Sequence, residues 1–536
     1  MFHLLHRESK TLVGAAFLIG FLSFGSRIIG LVRDRILAGI FGAGNTLDIY
    51  YAAFKFPDLI FNLFILGALS ASFIPLFCHY LKRDGVASKQ AWEFTNTVLH
   101  ALVILFAFIS LLFSIFAQPL AAIVAPGFPE WKQVATADFL RILLLAQFFL
   151  GISMVFGSVL QGLKRFFLYS LAPIFYNIGI IFGAVVMVNW LGEKGLVWGV
   201  VFGSVLHLVI QLYGVYHAGY RYEWSLRWTK DLGEVLRLMF PRVLSLGITQ
   251  INFIAMTVIG SYLTVGSLTI LTFAYNIQFF PIGIIGIAYA VAAFPSLCRC
   301  VQEKNTQEFI HIFSATVRQM LFFLIPMMIV FLLLRAQIVR VVVGAGLFDW
   351  EATILTADTL AFFALSFFAQ GLVFLFARAY FALHDTMTPF IAGLVSASIN
   401  IIASLYFSSL MGVVGFGIAF SLSSIIQLIL LWAPLRGRMG SLQEFLILRS
   451  LFIITTAGML SALVIQLLKP ISVAWFPLET FFGVLFQGLF AGGIGLFVYG
   501  FVAWYLGSPE MRDFLGVLQK KIGKKFIPSE SISIDG

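Results

Sequence analysis

Seven charged residues fall within one otherwise apolar stretch, residues 26–75: Arg27, Arg33, Asp34, Arg35, Asp48, Lys55 and Asp58. Cations outnumber anions four to three. Arginine offers a planar fork that matches phosphate or carboxylate oxygens, and lysine offers a point charge. The chemistry open to such a set is recognition of an anion, with no covalent step. Each charge at bilayer depth costs at least about 2.5–3.5 kcal/mol, so it persists where it faces an aqueous cavity or a partner. The competing reading is internal pairing of arginine with Asp34, Asp48 and Asp58, which locks helices together. That reading applies most directly to Arg35 and Asp58, and least to Arg27 near mid-span.

Helical geometry groups these side chains. At about 100° per residue, Arg27 and Asp34 differ by roughly 700° and share one direction, with Arg33 and Arg35 fanning to either side. Lys55 precedes Phe56-Pro57 on the next segment and adds a separate cation. Signatures of covalent chemistry are missing: no HExxH, no Walker A loop and no nucleophile elbow. No catalytic residue, cofactor or metal is expected. Cys298-x-Cys300 lacks partner ligands for zinc, and with Cys78 it falls near cytoplasmic helix ends, where a disulfide is not expected. His384-Asp385 sits in a short turn, where Asp385 reads as an N-cap ahead of Pro389. Gly42-Ala43-Gly44 reads as a tight external turn.

The elements that carry these residues are membrane spans. The chain has 536 residues, 60% of them apolar and only 11% charged, with mean hydropathy +1.00. A soluble domain is nearer about 25% charged. A net charge of +10 reads as positive-inside loops, not nucleic-acid binding. Runs of about 20 apolar residues divide the chain into fourteen expected spans: 11–41, 46–80, 91–117, 134–160, 166–190, 195–217, 235–262, 267–297, 308–334, 353–382, 388–408, 412–433, 447–468 and 480–506. With the N-terminus inside, inner segments carry twenty-one Lys and Arg, against five outside: Lys132, Lys194, Arg335, Arg340 and Lys469. That asymmetry places both termini in the cytoplasm. Phe56-Pro57 and Ile74-Pro75 are echoed by Phe280-Pro281 and Phe294-Pro295, as a parallel repeat of six spans would produce. The expected fold is an all-α polytopic membrane protein: two six-helix bundles in parallel repeat plus two C-terminal helices. Its divisions are 1–217, a linker at 218–234, 235–433, two added helices at 434–506 and a basic tail at 507–536, whose KKIGKK run (520–525) suits anionic lipid heads.

The sequence also resembles a family. Ser26-Arg27-Ile28-Ile29-Gly30, Arg33-Asp34, Phe41-Gly42-Ala43-Gly44, Asp48, Ala53-Phe54-Lys55, Pro57, Gly67-Ala68, Ser70 and Phe73-Ile74-Pro75 are similar to the N-terminal signature of the MurJ (MviN) lipid II flippases. Ala125-Pro126-Gly127-Phe128, Ala172-Pro173 with Asn177, and Asp385-Thr386 with Thr388-Pro389 extend the likeness along the chain. The resemblance implies the MOP exporter fold, with a lipid groove in the last two helices. It implies transfer of the undecaprenyl-diphosphate-linked peptidoglycan precursor to the outer leaflet by alternating access. Cell-wall synthesis or division proteins are the expected protein partners, and the bacterial inner membrane the expected location. Family cavity cations match Arg27, Arg33 and Lys55, and family aspartates match Asp34 and Asp48. The sequence departs from the family where an Arg-Arg pair and a Glu would stand, reading Phe61-Asn62 and Leu66. It departs again where an Asp-Arg pair would stand in the eighth span, reading Tyr275-Asn276. Arg242 and Arg378 are candidate replacement cations. The expected substrate contacts are therefore Arg27, Arg33, Lys55, Asn62 and Asn276, within a charge network of Asp34, Arg35, Asp48 and Asp58. Rival functions are transfer of another lipid-linked oligosaccharide, cation-coupled export on the same fold, and a non-transporting scaffold. A membrane glycosyltransferase would need a carboxylate cluster and a sizeable loop, which the sequence lacks.

Overall fold

The computed structural model describes residues 12–66, 73–81, 87–225 and 230–522. Gly67-Ala68, Ser70, part of the linker (226–229), the tail from 523 onward and the side chain of Arg242 lie outside them. The described residues form helices, with one isolated bridge between Leu81 and Ala87. Where their residues are described, the fourteen expected spans fall on helix. Ten are long, apolar helices: Lys89–Ile115, Glu130–Gly162, Phe166–Leu191, Lys194–Tyr216, Ser267–Gln302, Thr306–Leu333, Met387–Met411, Val414–Met439, Glu444–Val473 and Phe481–Tyr505. The tenth span in chain order is a pair, Trp350–Ala364 and Phe367–Ala382, bent by 48°. The first span is one uninterrupted helix, Leu12–Phe41. The seventh is Lys230–Ser261, and the second is broken into Asn45–Ala53, Lys55–Ile60, the π-helical Phe61–Leu66 and Ile74–His79.

The prolines singled out in each half mark the same device. Pro57 is followed by π-helix at Phe61–Leu66, and Pro281 by π-helix at Ile282–Ile287. Proline withholds the hydrogen bond to the carbonyl four residues earlier, and both helices are irregular around it.

The chain divides into two compact units. The first comprises Met1–Ile277, Val342–Thr359 and Gly393–Phe420. Within it the sixth span packs on the fourth and fifth, and the first span packs on the fifth. The fifth–sixth contact is nearly backbone to backbone. A Cβ on Gly203 would lie 2.4 Å from Tyr176 O, and one on Gly179 would lie 2.2 Å from Gly203 Cα. Small residues spaced by four let membrane helices approach this closely. Gly203→Val is expected to lower the melting temperature of the purified protein through a loss of about 1–3 kcal/mol or more. Gly30→Ala, with nothing within 4 Å of its Cβ, should leave it unchanged.

Loops expected on one side of the membrane meet one another in this unit. Thr46 Oγ1 donates to Glu193 Oε1 at 2.7 Å, Gly127 N donates to Ser261 Oγ at 3.0 Å, and Leu347 N donates to Gly39 O at 2.9 Å. On the opposite side, the segment after the sixth span is fastened to the third span. Asn96 Nδ2 donates to Arg221 O at 3.0 Å, and the His100 ring bridges Ser225 O and Tyr222 Oη at 3.0 Å each.

The second unit comprises Gln278–Val341, Leu360–Ala392 and Ser421–Gly536. Its core joins Phe309, Phe313, Phe376 and Tyr380, all fully buried. The two buried tyrosine hydroxyls there are both matched: Tyr380 Oη donates to Leu431 O and Tyr499 Oη to Phe322 O, at 2.7 Å each. The bend in the tenth span frees a carbonyl, and Ser421 Oγ donates to it, Phe362 O, at 2.5 Å. The outward faces of the last two spans carry exposed Phe452, Met459 and Phe497, which suits contact with lipid. In the turn after the tenth span, burial pushes the Asp385 carboxyl up. Hydrogen bonds from Thr388 N and Oγ1, with the Arg438 guanidinium, outweigh this and hold it at about 2. The turn therefore keeps this stabilisation above the ordinary carboxylate range and loses it as the pH falls toward 2.

Candidate functional site: a lysine-bearing cavity beside two closed charge clusters

The ionisable residues of 26–75 do not act as one set. Arg33, Asp34, Asp48 and Lys55 separate into two closed clusters and one open site, all in the first unit. The first cluster is centred on Asp34, which is 2% exposed. Its Oδ1 accepts from Arg33 Nε at 3.0 Å and from Arg33 Nη2 at 2.7 Å. Its Oδ2 accepts from Asn276 Nδ2 at 3.0 Å. Arg33 Nη1 turns the other way and donates to Asn177 Oδ1 at 3.0 Å. Two of the expected substrate contacts, Arg33 and Asn276, are thus spent on one carboxylate. A buried carboxylate needs this many donors, because an unpaired one would shed its charge.

The second cluster closes around Asp48, also 2% exposed. Oδ2 accepts from Lys132 Nζ at 3.0 Å and Gly266 N at 2.8 Å. Oδ1 accepts from Thr269 N at 3.1 Å and Thr269 Oγ1 at 2.9 Å. Lys132 corrects the sequence reading, which counted it among outside loop residues. It lies in the first turn of Glu130–Gly162, is buried, and has its ammonium 3.9 Å from the Phe128 ring centroid. A buried carboxylate on the second span demands a counter-charge, and Lys132 supplies it from the fourth. Gly266, at φ +90°, has no room for a Cβ against Ala43 O, so its amide can reach the carboxylate.

Lys55 stands apart. Among the described residues its ammonium makes no hydrogen bond or ion pair, and Asp58, three residues on, does not close one with it. Its ammonium lies 5.9 Å from the Phe253 ring centroid. It lines a cavity with Tyr51, Phe253, Leu268, Leu271 and Tyr275. The walls are largely hydrocarbon and aromatic, with one cation among them.

The remaining expected residues are placed as follows. Asn62 Nδ2 donates to Asp58 O at 2.8 Å, a bond within its own helical turn. Arg27 and Arg35 are both half-buried and both have partners. Arg378, in the second unit, lies over the Phe294 ring at 5.2 Å. Among the described residues no group of His, Cys, Asp and Glu could hold a metal ion.

The profile of the family described as "Lipid II flippase MurJ" matches residues 37–486. The chain belongs to the MurJ family. Relatives include a protein of Rhizobium tropici named "Probable lipid II flippase MurJ", 27% identical over 523 residues, covering 95% of this chain and 96% of the relative. A protein of Thermotoga maritima with the same name is 29% identical over 503 residues, covering 93% and 97%. A solved "Lipid II flippase MurJ, inward closed conformation" shares the fold with a TM-score of 0.74 at 23% identity, covering 95% of this chain and 100% of that one. A multidrug resistance MATE family transporter of the MOP superfamily, inward-facing, has a TM-score of 0.66 at 14% identity over 80% of this chain and 99% of that one. At this identity these structures bear on fold. As a MurJ-family chain with many apolar helices, the protein is a multi-pass protein of the bacterial inner membrane.

Residues that the sequence reading did not assign to the site are Tyr51, Phe253 and Tyr275 around the cavity, and Lys132 and Thr269 around Asp48. Tyr51 was findable, one helical turn before Lys55. The others come from spans distant in sequence, and nothing local marks them.

Proposed function

We propose that this MurJ-family chain moves lipid II, the undecaprenyl-diphosphate-linked peptidoglycan precursor, from the inner to the outer leaflet by alternating access. The observation that carries the reading is the Lys55 ammonium, set in an apolar cavity with no carboxylate among the described residues closed on it. A cation so placed is stabilised by an arriving anion, and the attraction is stronger there than in water. Lys55 and Arg27 hold the diphosphate oxygens, while Arg33 and Asn276 keep Asp34 closed beside them. Exposing the head alternately to each side requires rearrangement of helices and no bond chemistry. Acidic residues would dominate the site of a cation exporter; here both buried aspartates, Asp34 and Asp48, are already matched by donors. The termini are cytoplasmic in this reading, since with Lys132 buried against Asp48 the outer loops carry even fewer cations.

Complementation tests this. In a bacterium depleted of its own lipid II flippase, the chain should restore growth and Arg27→Ala should not, although the variant protein still accumulates in the membrane. Failure of the unaltered, accumulated protein to restore growth or lipid II export would overturn the reading. Cysteine labelling from outside should reach Thr46→Cys and not Tyr222→Cys.

A further inference from the structure

We infer that the Tyr51 hydroxyl is a substrate-binding donor which, with the Lys55 ammonium, takes the phosphate that joins a prenyl chain to its head group. The inference rests on the proposed lipid-linked diphosphate reading and assigns a place within it.

Tyr51 precedes Lys55 by four residues, so both side chains leave one side of the second span. Both line the same cavity. Tyr51 is only 9% exposed, and its Oη is buried with no hydrogen-bond partner among the described residues. The cavity's threonine hydroxyls behave differently. Thr257 Oγ1 donates to Phe253 O at 2.9 Å and Thr272 Oγ1 to Leu268 O at 2.7 Å. The buried hydroxyls of Tyr380 and Tyr499, by contrast, each find a backbone carbonyl. A buried polar group left without a partner calls for a specific explanation. The ring is also fixed in place. Edge contacts with Tyr50 at 5.2 Å and Phe273 at 6.0 Å between centroids hold it from two directions. A donor held this way loses little freedom when a ligand arrives.

The walls decide the class of ligand. Met256, Leu268 and Leu271 face the same space as Lys55. A free phosphate or pyrophosphate would meet the ammonium and the hydroxyl but leave that hydrocarbon uncovered. A prenyl phosphate meets both, with its charged oxygens on Lys55 and Tyr51 and its first isoprene units against Met256, Leu268 and Leu271. The cavity therefore takes this junction and leaves the sugar–peptide part outside it.

The test uses the full chain purified in detergent, with farnesyl diphosphate and inorganic pyrophosphate as probes. Binding and melting temperature are read for the unaltered protein, Tyr51→Phe and Lys55→Gln. Farnesyl diphosphate should raise the melting temperature of the unaltered protein, and inorganic pyrophosphate should do so far less. Tyr51→Phe keeps the ring and removes only the hydroxyl. Without ligand it should melt at or above the unaltered protein, because a buried unmatched group is gone, and it should bind farnesyl diphosphate about tenfold more weakly. Lys55→Gln should lose more. A lower ligand-free melting temperature for Tyr51→Phe, with unchanged binding, would make the hydroxyl structural and overturn the inference. Equal stabilisation by the two probes would overturn its prenyl part. If the unaltered protein bound no prenyl diphosphate at all, the lipid-linked substrate reading itself would fall; unchanged binding by Tyr51→Phe alone would remove only this assignment.

Discussion

Asp48→Ala is expected to destabilise the protein by about 3–5 kcal/mol, the cost of breaking a buried ion pair by removing one partner. The carboxylate receives all four of its hydrogen bonds from elsewhere in the chain: Lys132 Nζ, Gly266 N, and Thr269 N and Oγ1. Its loss strands a lysine that is itself 2% exposed, together with two amides and a hydroxyl. The effect should read as a large drop in the melting temperature of detergent-purified protein and a low folded yield. Lys132→Met alone should also destabilise, by leaving the carboxylate short of its counter-charge. The double variant Asp48→Leu with Lys132→Met should recover part of the loss, because no isolated charge then remains buried. A melting temperature for Asp48→Ala equal to that of the unaltered protein would show that the cluster contributes nothing to the fold.

Lys55→Ala should do the opposite. It removes a cation that has no hydrogen-bonding partner among the described residues, so the ligand-free protein should be as stable as before or slightly more so. Binding of a diphosphate lipid should fall by about 2–5 kcal/mol, the usual cost of deleting one side of a desolvated charge contact. Growth complementation should fail with it. Arg33→Ala separates the two kinds of effect. Its guanidinium is held by Asp34 and Asn177, so its loss should first appear as instability, and any loss of transport should follow from that. Asn276→Ala removes one of the three bonds on Asp34 and should cost about 1–3 kcal/mol of stability. If Arg33→Ala bound substrate far more weakly at unchanged stability, while Lys55→Ala bound normally, the roles assigned to the two residues would be exchanged.

The contrast between Lys55 and Arg33 shows where sequence reasoning stops. Both are cations in apolar surroundings, and both match family positions. Helical spacing placed Arg27 and Asp34 on one face, but it is adjacent Arg33 that reaches Asp34, through Nε and Nη2. No periodicity rule treats neighbours i and i+1 as partners. Asn276, in the eighth span, stands where a charged pair is usual in the family. Its amide meets Asp34 across 242 positions of chain, and only the packing of the first span near the eighth reveals that.

Composition and apolar run length determined the membrane class and the positions of the fourteen spans. A helix is the only form in which so short an apolar segment can satisfy its own backbone inside a bilayer. Local residue type likewise determined the Asp385 turn, because caps act within a few residues. What the tertiary structure decided is which charges are matched. Asp48 draws its donors from 84 to 221 residues away, whereas Lys55, with a carboxylate three residues on, is not ion-paired with it. Whether a buried charge is locked or open depends on which atoms lie within about 3 Å of it. That distance is set by how helices from remote parts of the chain pack, and no local pattern encodes it.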